Sequence, residues 1–489
     1  MRAGTATNVF WSAFEAGTSA ALSFMSAFVV ARLVGPAEVG IGAAAVAVHV
    51  LLWVTVNALF ADALVQRPAV DDVAASSAFW TSAAIGVFAA FLQAAAGWPL
   101  ASAFSDARLG PMAVVLALPL PLVGAGGAIQ GLLTRDRAYR VLAGRAVIGQ
   151  GLVTLTGICA ALAGAGAWAL VLQQLVTSSA GALALLLRAP WRPRAVCHWA
   201  PVREMLRVGL PLTASTLVQH GRYRLFAVLI GVTAGAAPLG QVHMAFRLVD
   251  TVRELAMTAL WRLMLPGLAE RQNDLPALGA QVDRLLALSA LVVFPLCGAM
   301  AVSVGPLVRL LLGPVWEPAG LAALPLLGVS AWLFLGFPAG VAVVARGKAR
   351  YTLIANLAGT GAVLLGVLLL RPAHAFEAVL VWLAAQLMIA PYTLMVAARF
   401  LPSAVGSSGL SSLVRPIRAG LPVMGLAVLA TAMAALVPGM VARLAVGAAV
   451  YLPGVAWLYG STLRLRVLGC LRDGLRRQRR LEVADAELR

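Results

Sequence analysis

Charged residues make up only 11% of the 489-residue chain, against 61% hydrophobic residues and a mean hydropathy of +0.91. Soluble globular proteins carry about twice that share of charge, which excludes a water-soluble enzyme or binding module. Acid is scarcer still, with 19 acidic residues against 37 basic ones and a formal net charge of +18. In a soluble chain that surplus would point to nucleic acid. Here the basic residues punctuate long apolar runs, as they do in the cytoplasmic loops of membrane proteins, and no nucleic-acid partner is expected. Cysteine is rare: Cys159, Cys197, Cys297 and Cys470 show neither CxxC nor Cys/His spacing, so no disulfide framework, metal site or cofactor is indicated. HExxH, GxSxG and plausible paired-carboxylate signatures are missing. "GAGGAIQG" (124–131) lies in an apolar stretch without a βαβ frame, and "ARGKAR" (345–350) lacks the upstream Gly and the Ser/Thr of a phosphate loop. Neither an enzyme nor a built-in ATPase is expected.

What the chain has in abundance is apolar runs of about 20 residues, each long enough to cross the hydrocarbon as a helix. Fourteen such runs extend from 8–31 to 440–464. An even number places both termini on one side. Short loops rich in Arg and Lys stay in the cytoplasm, and on that assignment the even-to-odd connections and the tail hold most of the basic residues, among them Arg135, Arg137, Arg140, Arg188, Arg192, Arg194, Arg346, Lys348 and Arg350. The opposite loops hold Arg32, Arg108, Arg309, Arg371 and Arg443. Both termini are therefore expected in the cytoplasm. No outer loop has room for a folded domain. The start, "MRAGTATNVFW", runs straight into an apolar span with no A-x-A site in place and reads as an uncleaved first helix. The tail, "LRDGLRRQRRLEVADAELR", reads as a surface anchor for anionic lipid.

The chain also repeats itself. "FVVARLVGPAEVGIGAAA" (28–45) aligns with "VLIGVTAGAAPLGQVHMA" (228–245), which sets Gly35 on Gly235 and Gly40 on Gly240. A second match sets "LLTRDRAYRVLAG" (132–144) on "VVARGKARYTLIA" (343–355), a basic inner loop in each half. Two matches in the same order, in agreement with the topology, imply a duplicated helix set. The expected organisation is an N-lobe over 1–187, a basic cytoplasmic linker over 188–206, a C-lobe over 207–399, two further helices over 400–464 and a cytoplasmic tail over 465–489.

Against this apolar background a few charges stand out. In "HMAFRLVDTVRE" (243–254), His243, Arg247, Asp250 and Glu254 recur at i, i+4, i+7 and i+11 and form one helical stripe. The repeat aligns that stretch with "AAVAVHVLLWVT" (43–54), the middle of an ordinary span. A bare charge at the bilayer centre costs roughly 2.5–3.5 kcal/mol, so the stripe must face water, a partner charge or a ligand. The preceding span adds "QHGRYRLF" (219–226), with His220, Arg222, Tyr223 and Arg224. In the first half Asn8, Ser12, Glu15, Ser19 and Ser26 mark one face of the first helix, and His49, Asn57 and Asp62 mark the second. Part of this set can be satisfied by pairing, Arg247 with Asp250 and Glu15 with an Arg across the bundle. Arg still outnumbers acid. The planar guanidinium grips phosphate oxygens in pairs, so the surplus suits an anionic ligand.

These residues resemble a known family. "FVVARLVGPAEVG", "FADALVQRP", "GRAVIGQGLVTLTGICAALAGAGAWALVLQQL" (144–175), "LRVGLPLTAS" (206–215), "PLGQVHMAFRLVD" (238–250) and "GPLVRLLLGPVW" (305–316) are similar to the polysaccharide flippases of the MOP exporter superfamily, the Wzx-type translocases of lipid-linked oligosaccharide. The resemblance implies an all-α, MATE/MOP-like membrane protein: about fourteen helices in two six-helix lobes plus a C-terminal pair, with a central cationic cavity. It implies alternating access that carries an undecaprenyl-diphosphate-linked glycan across the bacterial inner membrane for exopolysaccharide or O-antigen synthesis. Members often have an acidic residue in the seventh helix, where this chain has arginines, so coupling of protons or cations through that helix is not implied.

The expected substrate-binding residues are Arg222, Arg224, Arg247, Arg253, His220, His243 and Tyr223, and Glu15, Asp62, Asp250, Glu254 and Asn57 are expected to tune the cavity or carry coupling protons. Partners would be the lipid-linked oligosaccharide, membrane lipids and the polysaccharide polymerase and export machinery, with the chain itself a monomer. A peptidoglycan-precursor flippase shares this chemistry. A multidrug cation antiporter of the same superfamily would have twelve helices and an acidic cavity. A polymerase or ligase would need a large outer loop.

Overall fold

The structure, a computed structural model, describes residues 2–67, 70–135, 139–188, 191–269, 274–345, 348–400, 422 and 425–455. Among them every regular element is helical. The order is α1 (Arg2–Val34), α2 (Pro36–Gln66), α3 (Asp72–Phe104), α4 (Leu109–Ala117), α5 (Leu120–Arg135), α6 (Tyr139–Leu162), α7 (Trp168–Arg188), α8 (Trp199–Ala234), α9 (Ala236–Ala269), α10 (Leu275–Leu311), α11 (Glu317–Ala345), α12 (Ala349–Leu370), α13 (Ala375–Leu387) and α14 (Ile389–Phe400). Two shorter apolar helices follow, α15 (Gly425–Ala435) and α16 (Met440–Val455). Among the described residues eight helical segments are long and apolar enough to cross a membrane. A 33-residue helix such as α3 extends roughly 50 Å. That exceeds the hydrocarbon thickness of about 30 Å, so its ends reach the headgroup layer. The tail over 465–489 and most of 401–424 lie outside the described residues.

Helix ends follow local chemistry. α1 and α2 are joined by one residue, Gly35, at φ 87°, and α8 and α9 by one residue, Gly235, at φ 93°. An L side chain rarely adopts that backbone, and only a glycine turns the chain so tightly there. Pro36 then opens α2, where its missing N–H costs nothing. The prolines of "LPLP" (118–121) separate α4 from α5, and α14 begins two residues before Pro391, whereas Pro99, Pro211, Pro295 and Pro306 lie inside continuous helices. Residues 199–206, expected in the linker, are the first turns of α8.

The aligned glycines meet in space. A Cβ on Gly40 would stand 1.8 Å from the carbonyl oxygen of Ala236, and one on Gly240 would stand 1.9 Å from that of Pro36. Pro36 and Ala236 are themselves repeat partners, so α2 and α9 cross through a reciprocal backbone contact about a local two-fold axis.

By contacts the chain divides into two compact units. The first comprises Met1–Met257, Leu307–Leu326 and Ala349–Ile389. One of its cores gathers Phe60, Leu64, Phe79, Leu133, Leu185 and Met205. The strap over 191–198 is pinned to α3: Ser76 and Ser77 hydroxyls accept the Arg194 and His198 amides, Trp80 donates to the Arg194 carbonyl, and Trp191 donates to Asp72. Near the start of α2, Arg108 grips both oxygens of Glu38 at 2.8 and 2.9 Å and both of Asp106 at 2.7 and 3.1 Å. Glu38 also accepts the Ala167 amide at 2.7 Å, so one knot ties together the α1–α2, α3–α4 and α6–α7 turns. The hydrogen bond from Arg108 holds the Asp106 carboxyl below its ordinary value, and Arg108 is raised in return. Arg32 caps the end of α10 by donating to the Leu310 and Leu311 carbonyls.

The second unit comprises Thr258–Pro306, Leu327–Lys348 and Ala390–Arg489. It has two cores. In one, Leu268, Val282, Val341 and Leu394 pack together. In the other, Ala427 and Ala430 of α15 and Tyr451 of α16 pack on Ala290, Phe294 and Ala331, and the Tyr451 hydroxyl donates to the Leu291 carbonyl at 2.8 Å.

Candidate functional site

The unusual charges of the second half converge within the first unit. α8 presents Arg222, Tyr223 and Arg224 in succession, and because consecutive helical residues point about 100° apart, the two arginines diverge around the tyrosine. α9 presents His243, Arg247 and Asp250 one turn apart. The Tyr223 hydroxyl lies 2.9 Å from His243 Nδ1, which joins the two helices. Further along the stripe Arg247 donates to the Ser23 hydroxyl of α1. The stripe therefore serves two neighbours, α8 at one end and α1 further along.

An aromatic box surrounds the cluster. Tyr223 and Phe246 rings stand 4.7 Å apart, and Trp382 of α13 stands 5.0 Å from both Phe226 and Phe246. Phe226, Phe246 and Trp382 are buried. The Arg222 guanidinium lies 5.4 Å from the Trp382 ring centre and donates to Gln386 Oε1 at 3.3 Å. Arg224 lies 5.4 Å from the Tyr223 ring. Cation–π contacts of this kind are worth about 0.5–2 kcal/mol each. They lower the cost of the charge without cancelling it.

Acid is short here. Among the described residues Asp250 pairs with Arg253 at 2.8 Å, three residues apart on α9, where Arg247 was expected, and Arg247 donates to Ser23 on α1. Among the described residues neither Arg222 nor Arg224 is within ion-pair distance of a carboxylate. Arg253 is close enough to Arg222 for their like charges to act on each other, and Arg224 senses both Arg247 and Asp250. Four guanidiniums thus share one described carboxylate.

Not every expected residue joins them. His220 and Asp62 are exposed, and Asn57 lines a separate cleft in the first half. The side chains of Glu15 and Glu254 lie outside the described residues, so the expected Glu15–Arg pair does too. Sequence reasoning missed Ser23, Trp382, Gln386 and Gly359. Gln386, a lone amide in the apolar run "VWLAAQLM", was the available signal; Gly359 carried none, yet the position of its missing Cβ is 3.1 Å from Arg222 Nη1.

The sequence profile of the family described as "Polysaccharide biosynthesis protein" matches residues 29–320, more than half of the chain. The chain belongs to that family. Polysaccharide biosynthesis proteins similar to it include the succinoglycan biosynthesis transport protein ExoT of Rhizobium meliloti, 24% identical over 55% of this chain and 54% of that one. The lipopolysaccharide biosynthesis protein WzxC of Escherichia coli is 22% identical over 71% of each chain. The match thus spans about half the length of the first relative and somewhat more of the second. In fold, this family member is similar to the lipid II flippase MurJ in an inward closed conformation, with a TM-score of 0.76, 11% identity and coverage of 93% of this chain and 100% of that one. A multidrug resistance MATE family transporter of the MOP superfamily follows at TM-score 0.59 and 15% identity, covering 78% of this chain and 95% of that one. The fold is accordingly the MOP-type helical fold expected from the sequence. These relatives and neighbours carry the names of transport, biosynthesis and flippase proteins, and none is named as an enzyme.

Proposed function

We propose that this polysaccharide biosynthesis protein flips undecaprenyl-diphosphate-linked oligosaccharide units across the bacterial inner membrane by alternating access, for exopolysaccharide or O-antigen assembly. The observation that carries the reading is the set of Arg222 and Arg224 on aromatic faces, beside Arg247 and Arg253, with one described carboxylate among them. A diphosphate adds negative charge beside four guanidiniums, and its oxygens suit paired donation from them. His243 and Tyr223 shape the same wall, and Asp250 orients Arg253. Asp62 and Asn57 belong to the reading as cavity-tuning or coupling residues away from this set, and Glu15 and Glu254 belong to it in the same role. Fourteen crossings with both termini in the cytoplasm, a monomer, and hand-over to a polymerase and export machinery complete it.

The test is the double variant Arg222→Ala with Arg224→Ala. It is expected to abolish glycan export in cells and flipping of the lipid-linked glycan in vesicles, while the protein stays folded in the membrane. Export at the wild-type rate would remove these residues from the mechanism. A peptidoglycan-precursor flippase would present the same diphosphate to the same arginines, and membership of the polysaccharide biosynthesis family favours the glycan reading. Vesicles holding one or the other lipid separate the two.

A further inference from the structure

We propose that a cleft within the first half of the chain is a subsite for one uncharged, polyhydroxylated sugar ring. The half-open cleft holds about 270 Å³ among α1, α2, α5, α6 and α7, all within the first compact unit. Three primary amides converge on it from three helices: Asn57, Gln130 and Gln150. Among the described residues their side chains have no hydrogen-bond partner, and the buried Ser19 hydroxyl beside them has none either. The three amide side chains are half-buried on the wall of the cleft, and an amide there without a protein partner is satisfied by water or a ligand. Three such amides facing one space imply a wet site.

The chemistry of the lining selects the occupant. A primary amide offers two donors and an acceptor oxygen, and a sugar hydroxyl both donates and accepts, so the two match without any charge. No described side chain lining the cleft is charged. Among the described residues nothing here grips a phosphate, and the diphosphate is assigned to the arginines of α8 and α9. Trp53 adds an aromatic face for the apolar side of a sugar ring. One wall is set in advance, because the Ser178 hydroxyl is held 2.9 Å from His49 Nε2 and accepts from Gln174 at 3.3 Å. A cleft this wide suits a ring better than a bare cation, whose oxygen ligands must close to within about 2.6 Å.

This subsite rests on the carrier reading only for the source of its sugar. The test uses the full chain in lipid nanodiscs, with undecaprenyl diphosphate and the same lipid bearing a single glucose, galactose, N-acetylglucosamine or N-acetylgalactosamine. Two variants address the cleft: Gln150→Leu removes an amide, and Gly149→Leu fills the space, since a Cβ at Gly149 meets no atom within 4 Å. Wild type is expected to bind at least one sugar-bearing lipid about tenfold more tightly than the bare lipid, the worth of one or two hydrogen bonds. Both variants should bring that ratio to about one while keeping the bare-lipid affinity and the thermal transition. A ratio unchanged in both variants overturns the subsite, and so does stabilisation of wild type by millimolar sodium that both variants abolish. Free methyl glycosides separate the two readings. If they raise the thermal transition of wild type but of neither variant while no undecaprenyl lipid binds, the subsite stands and the carrier reading fails.

Discussion

Arg222 takes its position from residues far along the chain: the Trp382 ring beneath it and the Gln386 oxygen, 164 residues away, that accepts from it. Gly359 completes this seat by having no side chain. A Cβ there would stand 3.1 Å from Arg222 Nη1 and 2.6 Å from the Ile389 side chain. Gly359→Leu is therefore expected to push the guanidinium off the indole and weaken binding of undecaprenyl diphosphate about tenfold, the worth of one hydrogen bond to a charged group. Titration of the bare lipid into the purified variant checks this, and wild-type affinity would show that Arg222 does not need that seat. The unusual density of Arg in the second half was legible from the sequence, because charge in an apolar run must have a reason. Its partners were not. An i+3 spacing allowed both Arg247–Asp250 and Asp250–Arg253, and the structure shows Arg253 on Asp250 and Arg247 on Ser23 of α1.

Between helices, the α2–α9 crossing has no tolerance for a side chain. Gly40 and Gly240 each lie against the backbone carbonyl of the other helix. Gly40→Val or Gly240→Val must force the helices apart, with an expected loss of about 1–3 kcal/mol or more, as for overpacking in a core. A thermal transition unchanged in either variant would contradict the reciprocal contact. The correspondence of Gly40 with Gly240 was visible as a repeat match, in register with the turn glycines Gly35 and Gly235. Their mutual contact was not visible, because an alignment says that two segments are alike and not that they touch. The same limit applies to the prolines. Those of "LPLP" separate α4 from α5, while Pro295 and Pro306 stay inside α10, and sequence alone does not say which break a helix.

Across the molecule, the Glu38–Arg108–Asp106 knot ties three turns of the first unit with two carboxylates on one guanidinium. The Asp106 carboxyl is held below its ordinary value of 3.8 by Arg108, so its contribution to stability is present above that value and is lost as pH falls through the lower folded one. The thermal transition should therefore be flat for this group from neutral pH to about 5 and fall under stronger acid. Asp106→Asn should lower the transition at neutral pH and remove part of its acid dependence. An acid profile identical in wild type and variant would show that the knot carries no linked proton.

By itself the sequence determined that this is a helical membrane protein, where several of its helices turn, and that cationic side chains gather in its second half. Those properties follow from hydropathy, from backbone freedom and from the cost of charge in lipid, each of which acts within a few turns of one helix. Tertiary structure decided which aromatic ring carries each guanidinium, which arginine takes Asp250, and that Asn57, Gln130 and Gln150 share one cleft. Such contacts depend on how distant helices pack, and a side chain that reaches only a few ångströms finds its partner after that packing is complete.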